Sequence, residues 1–242
     1  MEPPTGTLSI VSTPIGNLAD ISSRAIDCLQ SADLVACEDT RHSGILFRAH
    51  DITTRRLSLH RHNEASRSEQ ILGMLAEGKH IAYISDAGTP LVCDPGARLV
   101  HLAASANNKI QVIPGSCAVI AALAGSGFPA DRFYFGGFLS TKKIARTREL
   151  ENALARKETS VFFDSPHRIE STLAIINDLD PLRPLVIGRE LTKKFEEFRR
   201  GSAQSLVEDF RQKCNKGEIV LIISGTHIPS WLKSHTTGNA GQ

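Results

Sequence analysis

The chain has 242 residues, 41% of them hydrophobic and 22% charged, with a net charge of +2 and a pI near 8.3. That length holds one large or two modest domains with buried cores, and so weak a basic bias does not by itself demand a nucleic-acid partner. Five scattered cysteines without a CxxC pair argue against a disulfide scaffold or zinc ribbon, no leader-like segment opens the chain, and no apolar run reaches the ~18 residues of a membrane span, so a cytoplasmic protein with no membrane association is expected.

From the N-terminus, Leu8-Ser9-Ile10-Val11 predicts a strand and residues 22–31 a helix. Residues 33–37 follow as a strand, 43–50 as a short helix and 56–59 as a third strand. Residues 65–77 predict a helix with Ile71, Leu72, Leu75 and Ala76 on one face, stopped at Gly78. A strand over 81–84, a helix over 96–106 and a strand over 110–113 complete the run. Alternation of this kind implies a mainly parallel sheet covered on both faces.

Pro114-Gly115-Ser116 breaks the pattern, and residues 117–124 predict a helix of small residues. Strand-like runs then fall at 133–135, 160–163, 185–187 and 219–223, with helices at 142–156, 168–179 and 203–213. A further strand at 195–201 comes directly after 185–191, a short reversal that predicts antiparallel pairing and so a mixed sheet. The expected fold is two α/β domains, 1–115 with a mainly parallel sheet and 116–226 with a mixed one, followed by a loose tail over 227–242.

Several loops fall where a parallel sheet places its ligands, at the C-terminal ends of the strands. Thr13-Pro14-Ile15-Gly16-Asn17 follows the first strand, but neither G-x-G-x-x-G nor G-x-x-x-x-G-K-[ST] occurs, so a pyrophosphate cradle is not expected. Taken alone, this loop reads equally as a simple turn. Ser85-Asp86-Ala87-Gly88-Thr89-Pro90 is longer than a turn requires; Gly88 would let a ligand approach the backbone and Asp86 offers a carboxylate acceptor. Asp94-Pro95-Gly96 predicts a helix start with Asp94 as N-cap and Pro95 in the first turn.

Cys37-Glu38-Asp39-Thr40-Arg41 ends the second strand. Asp39 or Thr40 could simply cap the next helix, and Arg41 could pair with Glu38. His60-Arg61-His62-Asn63-Glu64 holds the same position after the third strand, and lacks a third ligand for a metal. Between Arg41 and Arg67, six arginines stand against only Asp51 and Glu64, which concentrates positive charge there. Lys193 and Lys194 beside Glu196 and Glu197 read as a solvated charged face.

Together the runs VSTPIGNLADIS (11–22), CEDTRHSGIL (37–46), HRHNE (60–64), SDAGTPLVCDPG (85–96), IPGSCA (113–118), FFDSPHR (162–168), RELTKKFEE (189–197) and KGEIVLII (216–223) resemble the tetrapyrrole methylase superfamily. Within it they are most similar to the branch that methylates a cytidine ribose 2′-hydroxyl in the decoding region of 16S rRNA. The resemblance implies a homodimer that acts on 16S rRNA in the small ribosomal subunit, with S-adenosyl-L-methionine folded into a cleft between the domains.

Carried onto this chain, the cofactor would meet Pro14, the loop of Ser85, Asp86, Ala87, Gly88 and Pro90, and the turn of Ser116, Cys117 and Ala118. Phe163, Leu191 and the stretch around Gly217 would close over the adenine. Glu38, Asp39, Arg41, His62 and Glu64 are the catalytic candidates, with a carboxylate or His62 as base, Asp86 as a further candidate, and Arg41 and Arg61 on RNA phosphates. Two departures stand out: Ser116 replaces the family's usual Pro, and the basic helical extension of bacterial members has no counterpart before Gln242. If that extension helps hold RNA, the Arg41 to Arg67 region carries more of the task. The competing readings are a tetrapyrrole C-methyltransferase, which would want a wide apolar cleft, and a cofactor- or RNA-binding module without activity.

Overall fold

The structure, a computed structural model, describes residues 6–212 and 216–227, so nearly all of the predicted tail lies outside the described residues. The chain divides into two compact units, Met1–Cys117 and Ala118–Gln242.

In the first unit β1 (Thr7–Val11), β2 (Leu34–Cys37), β3 (Arg56–Ser58), β4 (His80–Ile84) and β5 (Lys109–Ile113) form a sheet in the order β3-β2-β4-β1-β5, every pair parallel. Helices α1 (Ser23–Ser31) and α2 (Thr40–Ala49) cover one face, where Val11, Leu29, Val35, Phe47 and Ile84 pack together. Helices α3 (Glu64–Ala76) and α4 (Ala97–Ser105) cover the other over Leu8, Ile10, Ile71, Leu75, Tyr83 and Leu99. Adjacent residues of one strand thus enter opposite cores, which is why β4 reads as an unbroken apolar run.

Two helix starts differ from the expectation. α2 begins at Thr40, three residues early, because Asp39 caps it by accepting the Arg41 N–H at 2.7 Å. α4 begins at Ala97, not at Pro95: its N-cap is Gly96, and Asp94 does not cap it. The Gly96 and Arg98 N–H groups donate instead to Glu64 Oε1, at 2.9 and 3.2 Å. α1 starts as read, with Ser22 accepting the Ala25 N–H.

In the second unit β6 (Phe133–Phe138), β7 (Thr159–Asp164), β8 (Pro184–Arg189), β9 (Glu197–Ser202) and β10 (Ile219–Ile223) form a sheet in the order β6-β7-β10-β8-β9. Only β6 and β7 run parallel; the other three pairs are antiparallel, so the sheet is mixed. Helices α6 (Lys143–Ala155), α7 (Ile169–Leu179) and α8 (Ala203–Gln212) share one core with Phe162, Ile187, Ile219, Leu221 and Ile223. α5 (Ala118–Ser126) packs on β7, β8, β9 and β10 with a buried set, Val119, Ala122 and Leu123, that lies outside that core.

All five residues of β10 are buried, and Leu221 is fully enclosed at its centre. Leu221→Ala is therefore expected to cost about 2–5 kcal/mol, read as a fall in the urea midpoint.

Candidate active site

Three loops at the C-terminal ends of β1, β4 and β5 are tied into one surface. Thr13 and Gly88 exchange backbone hydrogen bonds, Thr13 N–H to Gly88 O at 2.9 Å and Gly88 N–H to Thr13 O at 3.1 Å. The Ser12 hydroxyl donates to Thr89 Oγ1, which donates to the Ser116 carbonyl, each at 3.2 Å. Gly88 holds φ +78°, and a Cβ there would press on Ile15 Cγ2 at 3.2 Å, so the close fit of the loops needs glycine. Pro14, Ser85, Gly88 and Pro90 are buried in this junction; Asp86, Ser116, Cys117 and Ala118 are half-buried and Ala87 is exposed.

An acidic group sits beside it. The pairing of Cys37 with Ile84 brings the ends of β2 and β4 level, so Glu38 lies alongside Ser85. Asp86 Oδ1 accepts the Asp39 N–H at 3.0 Å, and the Ser85 hydroxyl donates to Ala87 O at 3.3 Å. Burial pushes the Glu38 carboxyl above its ordinary value near 4.5; the charges of Asp86 and Asp94 add to this, and Arg61 opposes it. Asp94 is raised in the same way, by burial first and then Asp86, against Ser85 and Arg61. Tyr83, buried beneath these acids, is also raised, by burial above all, and its hydroxyl donates to Pro95 O at 2.7 Å.

The other catalytic candidates occupy different positions. Asp39 is the α2 cap, held low by the Arg41 backbone N–H and then by the Arg41 side chain. Arg41 pairs with Asp39 at 3.3 Å, not with Glu38, and its side chain is 92% exposed. His62 lies on the surface, its ring edge-on to His60 at 5.9 Å. Glu64 is committed to α4. Arg61, on which RNA phosphates were expected, donates to Cys93 O at 2.7 Å. The structure thus joins Glu38 and Asp86, and adds Asp94 and Tyr83, which the local pattern did not single out. Asp94 was masked by an Asp-Pro-Gly run that looks like a helix cap; the SDAGTP loop nine residues before it was the available signal.

In the second unit, the ends of β7 and β8 and the start of β10 share one sheet edge because β10 runs antiparallel to both. Phe163 lies there, its ring 5.1 Å from those of Phe135 and Phe138. Leu191, 7% exposed, folds back over Gly188. Gly217 precedes β10 at φ +110°, where a Cβ would strike the Glu190 side chain at 2.5 Å. Glu190 fastens this edge, donating its N–H to Glu218 O at 3.0 Å and accepting the Glu218 N–H at 2.8 Å. Lys193 Nζ lies 3.1 Å from both Glu190 and Glu218.

Among the described residues no group of three or more His, Cys, Asp or Glu could hold a metal ion, and no helix is long and apolar enough to cross a membrane. A parallel-sheet unit with hydrogen-bonded strand-end loops, followed by a mixed-sheet unit, defines a class of two-unit α/β proteins. More narrowly, the chain belongs to the tetrapyrrole (corrin/porphyrin) methylases, whose family pattern it matches over residues 7–207. It is 44% identical to the ribosomal RNA small subunit methyltransferase I of Synechocystis sp. over 221 residues, covering 91% of this chain and 79% of that protein. Identity to the protein of the same name from Escherichia coli O157:H7 is also 44%, over 91% of this chain and 78% of that one. The fold is shared with a diphthine synthase crystal structure at TM-score 0.72 and 14% identity, covering 97% of this chain and 98% of that one.

Proposed function

We propose that this protein is an S-adenosyl-L-methionine-dependent methyltransferase of small-subunit ribosomal RNA, acting on the 2′-hydroxyl of a decoding-region cytidine in 16S rRNA. The carrying observation is the 44% identity, over nine-tenths of the chain, to proteins named ribosomal RNA small subunit methyltransferase I. We take the acting species to be a cytoplasmic homodimer that meets its substrate on the ribosomal subunit.

The residues present suit the cofactor. It is a sulfonium, and the carboxylates of Glu38, Asp86 and Asp94 provide the negative field that a cation prefers. The joined loops around Pro14, residues 85–90 and Ser116 offer backbone groups at a glycine that leaves room for close approach. Bound there, the cofactor supplies an electrophilic methyl group.

The protein's own residues then align the acceptor and remove its proton. A ribose hydroxyl is a weak nucleophile until deprotonated, and Glu38 is the base we assign: half-buried, adjacent to the cofactor loop, and shifted toward neutral pH. Asp39, by capping α2, and Asp86, by holding the Asp39 N–H, fix the backbone from which Glu38 projects.

The test is transfer of radiolabelled methyl to assembled small subunits, beside calorimetry of cofactor binding. Label in an alkali-resistant dinucleotide is the expected result, because a methylated 2′-oxygen cannot attack its own phosphodiester. Cofactor binding without transfer would instead leave a binding module.

Exposed Arg41 and Arg48 on α2 are the phosphate contacts we assign, whereas Arg56 is occupied in holding α2 through Thr40 O at 2.5 Å and stacking on Phe47. Changing either exposed arginine to Ala is expected to lower the salt slope of RNA binding by about one while leaving cofactor affinity unchanged.

A further inference from the structure

In the second unit Arg146 joins the starts of α6 and α7. Its guanidinium donates to Ser140 O, ahead of α6, at 3.2 Å and to Ser171 Oγ, in the first turn of α7, at 3.1 Å. Neither start is capped by a side chain: Lys142 and Arg168 stand at the cap positions without a capping hydrogen bond. The first turn of α6 holds no acidic residue; the exposed Lys142 and Lys143 open the helix, with Arg146 one turn on. Cations at a helix N-terminus oppose the helix dipole, whose positive end favours anions.

Arg146 is the anomaly. It is 5% exposed, yet among the described residues no carboxylate pairs with it, and its Nε has no partner. A buried charge is ordinarily paired, because removing it from water is costly. Both of its acceptors here are neutral, and a guanidinium has more donors than these bonds use. The acids nearby in the chain are engaged elsewhere. Glu149 accepts the Ser140 N–H at 2.9 Å. Asp164 accepts from Thr172 at 2.7 Å and pairs with Arg168 at 3.4 Å, and Glu170 lies 3.9 Å from Arg211.

We propose that the joined starts of α6 and α7 form a phosphate site, with Arg146 as its buried cation, and that the phosphate belongs to the backbone of the RNA substrate. The inference rests on the reading of this chain as an RNA methyltransferase. Two helix starts, a guanidinium and a pair of exposed lysines are what a phosphodiester takes from a protein that holds RNA without reading its bases. The bound phosphate supplies the counter-charge that the fold leaves out, and gives the second unit its own grip on RNA.

The experiment follows the intact chain as wild type, Arg146→Met and the double variant Lys142→Ala with Lys143→Ala. Inorganic phosphate, set against chloride at equal ionic strength, is expected to raise the wild-type unfolding midpoint, because it binds the folded chain. Arg146→Met keeps an apolar stem and loses the charge, so its midpoint should not respond to phosphate. Its binding to small ribosomal subunits is expected to weaken about tenfold and the salt slope to fall by about one, with cofactor Kd unchanged. The double variant alters exposed side chains alone and serves if Arg146→Met folds poorly; its salt slope should fall by about two and its phosphate response should shrink. A phosphate response equal to wild type in Arg146→Met, or in the double variant where that one is used, overturns the site. A response lost while subunit binding and its salt slope stay at wild type overturns the RNA occupant in favour of free phosphate. Wild type that responds to phosphate but binds no subunits overturns the RNA reading and leaves the phosphate site in place.

Discussion

Replacing Glu38 with Gln is expected to lower methyl transfer by about 10²- to 10⁴-fold and, in the same variant, to stabilise the fold at neutral pH. The rate loss follows from removing the base. The stability gain follows from the environment that makes Glu38 a useful base: burial and the charges of Asp86 and Asp94 all oppose its ionised form. A carboxyl raised in the folded state contributes stability that is fully present below its unfolded value, near 4.5, and lost as pH rises through the folded value. At pH 7 the native protein has therefore given up that contribution, and the amide variant has nothing to give up. Urea midpoints at pH 7 and pH 4.5 check this: the advantage of the Gln variant should shrink as pH falls. Activity within twofold of wild type would remove Glu38 from the mechanism.

Gly96→Ala is expected to be the most damaging single-methyl change near the site. The glycine holds φ +113°, and an added Cβ would lie 2.4 Å from Tyr83 Cε1 and 2.9 Å from Cζ. Backbone strain of roughly 1–3 kcal/mol and overpacking of roughly 1–3 kcal/mol point to a combined loss of about 2–6 kcal/mol. Tyr83 cannot retreat easily, because it is fully buried and bonded to Pro95. Any retreat would also pull on the segment that carries Asp94, so activity should fall along with the unfolding midpoint. Gly73→Ala in α3 is the control: a Cβ there meets nothing within 4 Å, and stability should be unchanged or raised by up to about 1 kcal/mol. Equal effects at the two glycines would contradict this account.

The architecture was legible because its main signals are local. Ile81-Ala82-Tyr83-Ile84 is apolar on both faces, which only a doubly covered strand needs, and the quick reversal before residues 195–201 announced antiparallel pairing in the second sheet. Where partners are distant in sequence, local rules misled. Asp94-Pro95-Gly96 satisfies every short-range criterion for a helix start, yet Glu64 wins the α4 donors because the fold delivers a carboxylate at 2.9 Å. Arg41 has Asp39 two residues away and takes it in preference to Glu38. The acidic group itself depends on the pairing of Cys37 with Ile84, a register no stretch of residues announces. The joined loops depend likewise on Thr13 meeting Gly88 across 75 positions.

The place of β10 in the second sheet has a consequence for synthesis. All five strands of the first unit have been made once residue 113 has emerged, so that unit can fold while the rest is still being translated. The second unit cannot, because its last strand, Ile219–Ile223, is also its middle one. Until it arrives, β7 and β8 lie unjoined, each with an open edge of apolar residues such as Val161 and Val186. Such edges recruit other chains. A nascent chain halted before residue 219 would thus be an aggregation hazard carrying one finished unit, and the second sheet closes only when Ile219–Ile223 has emerged.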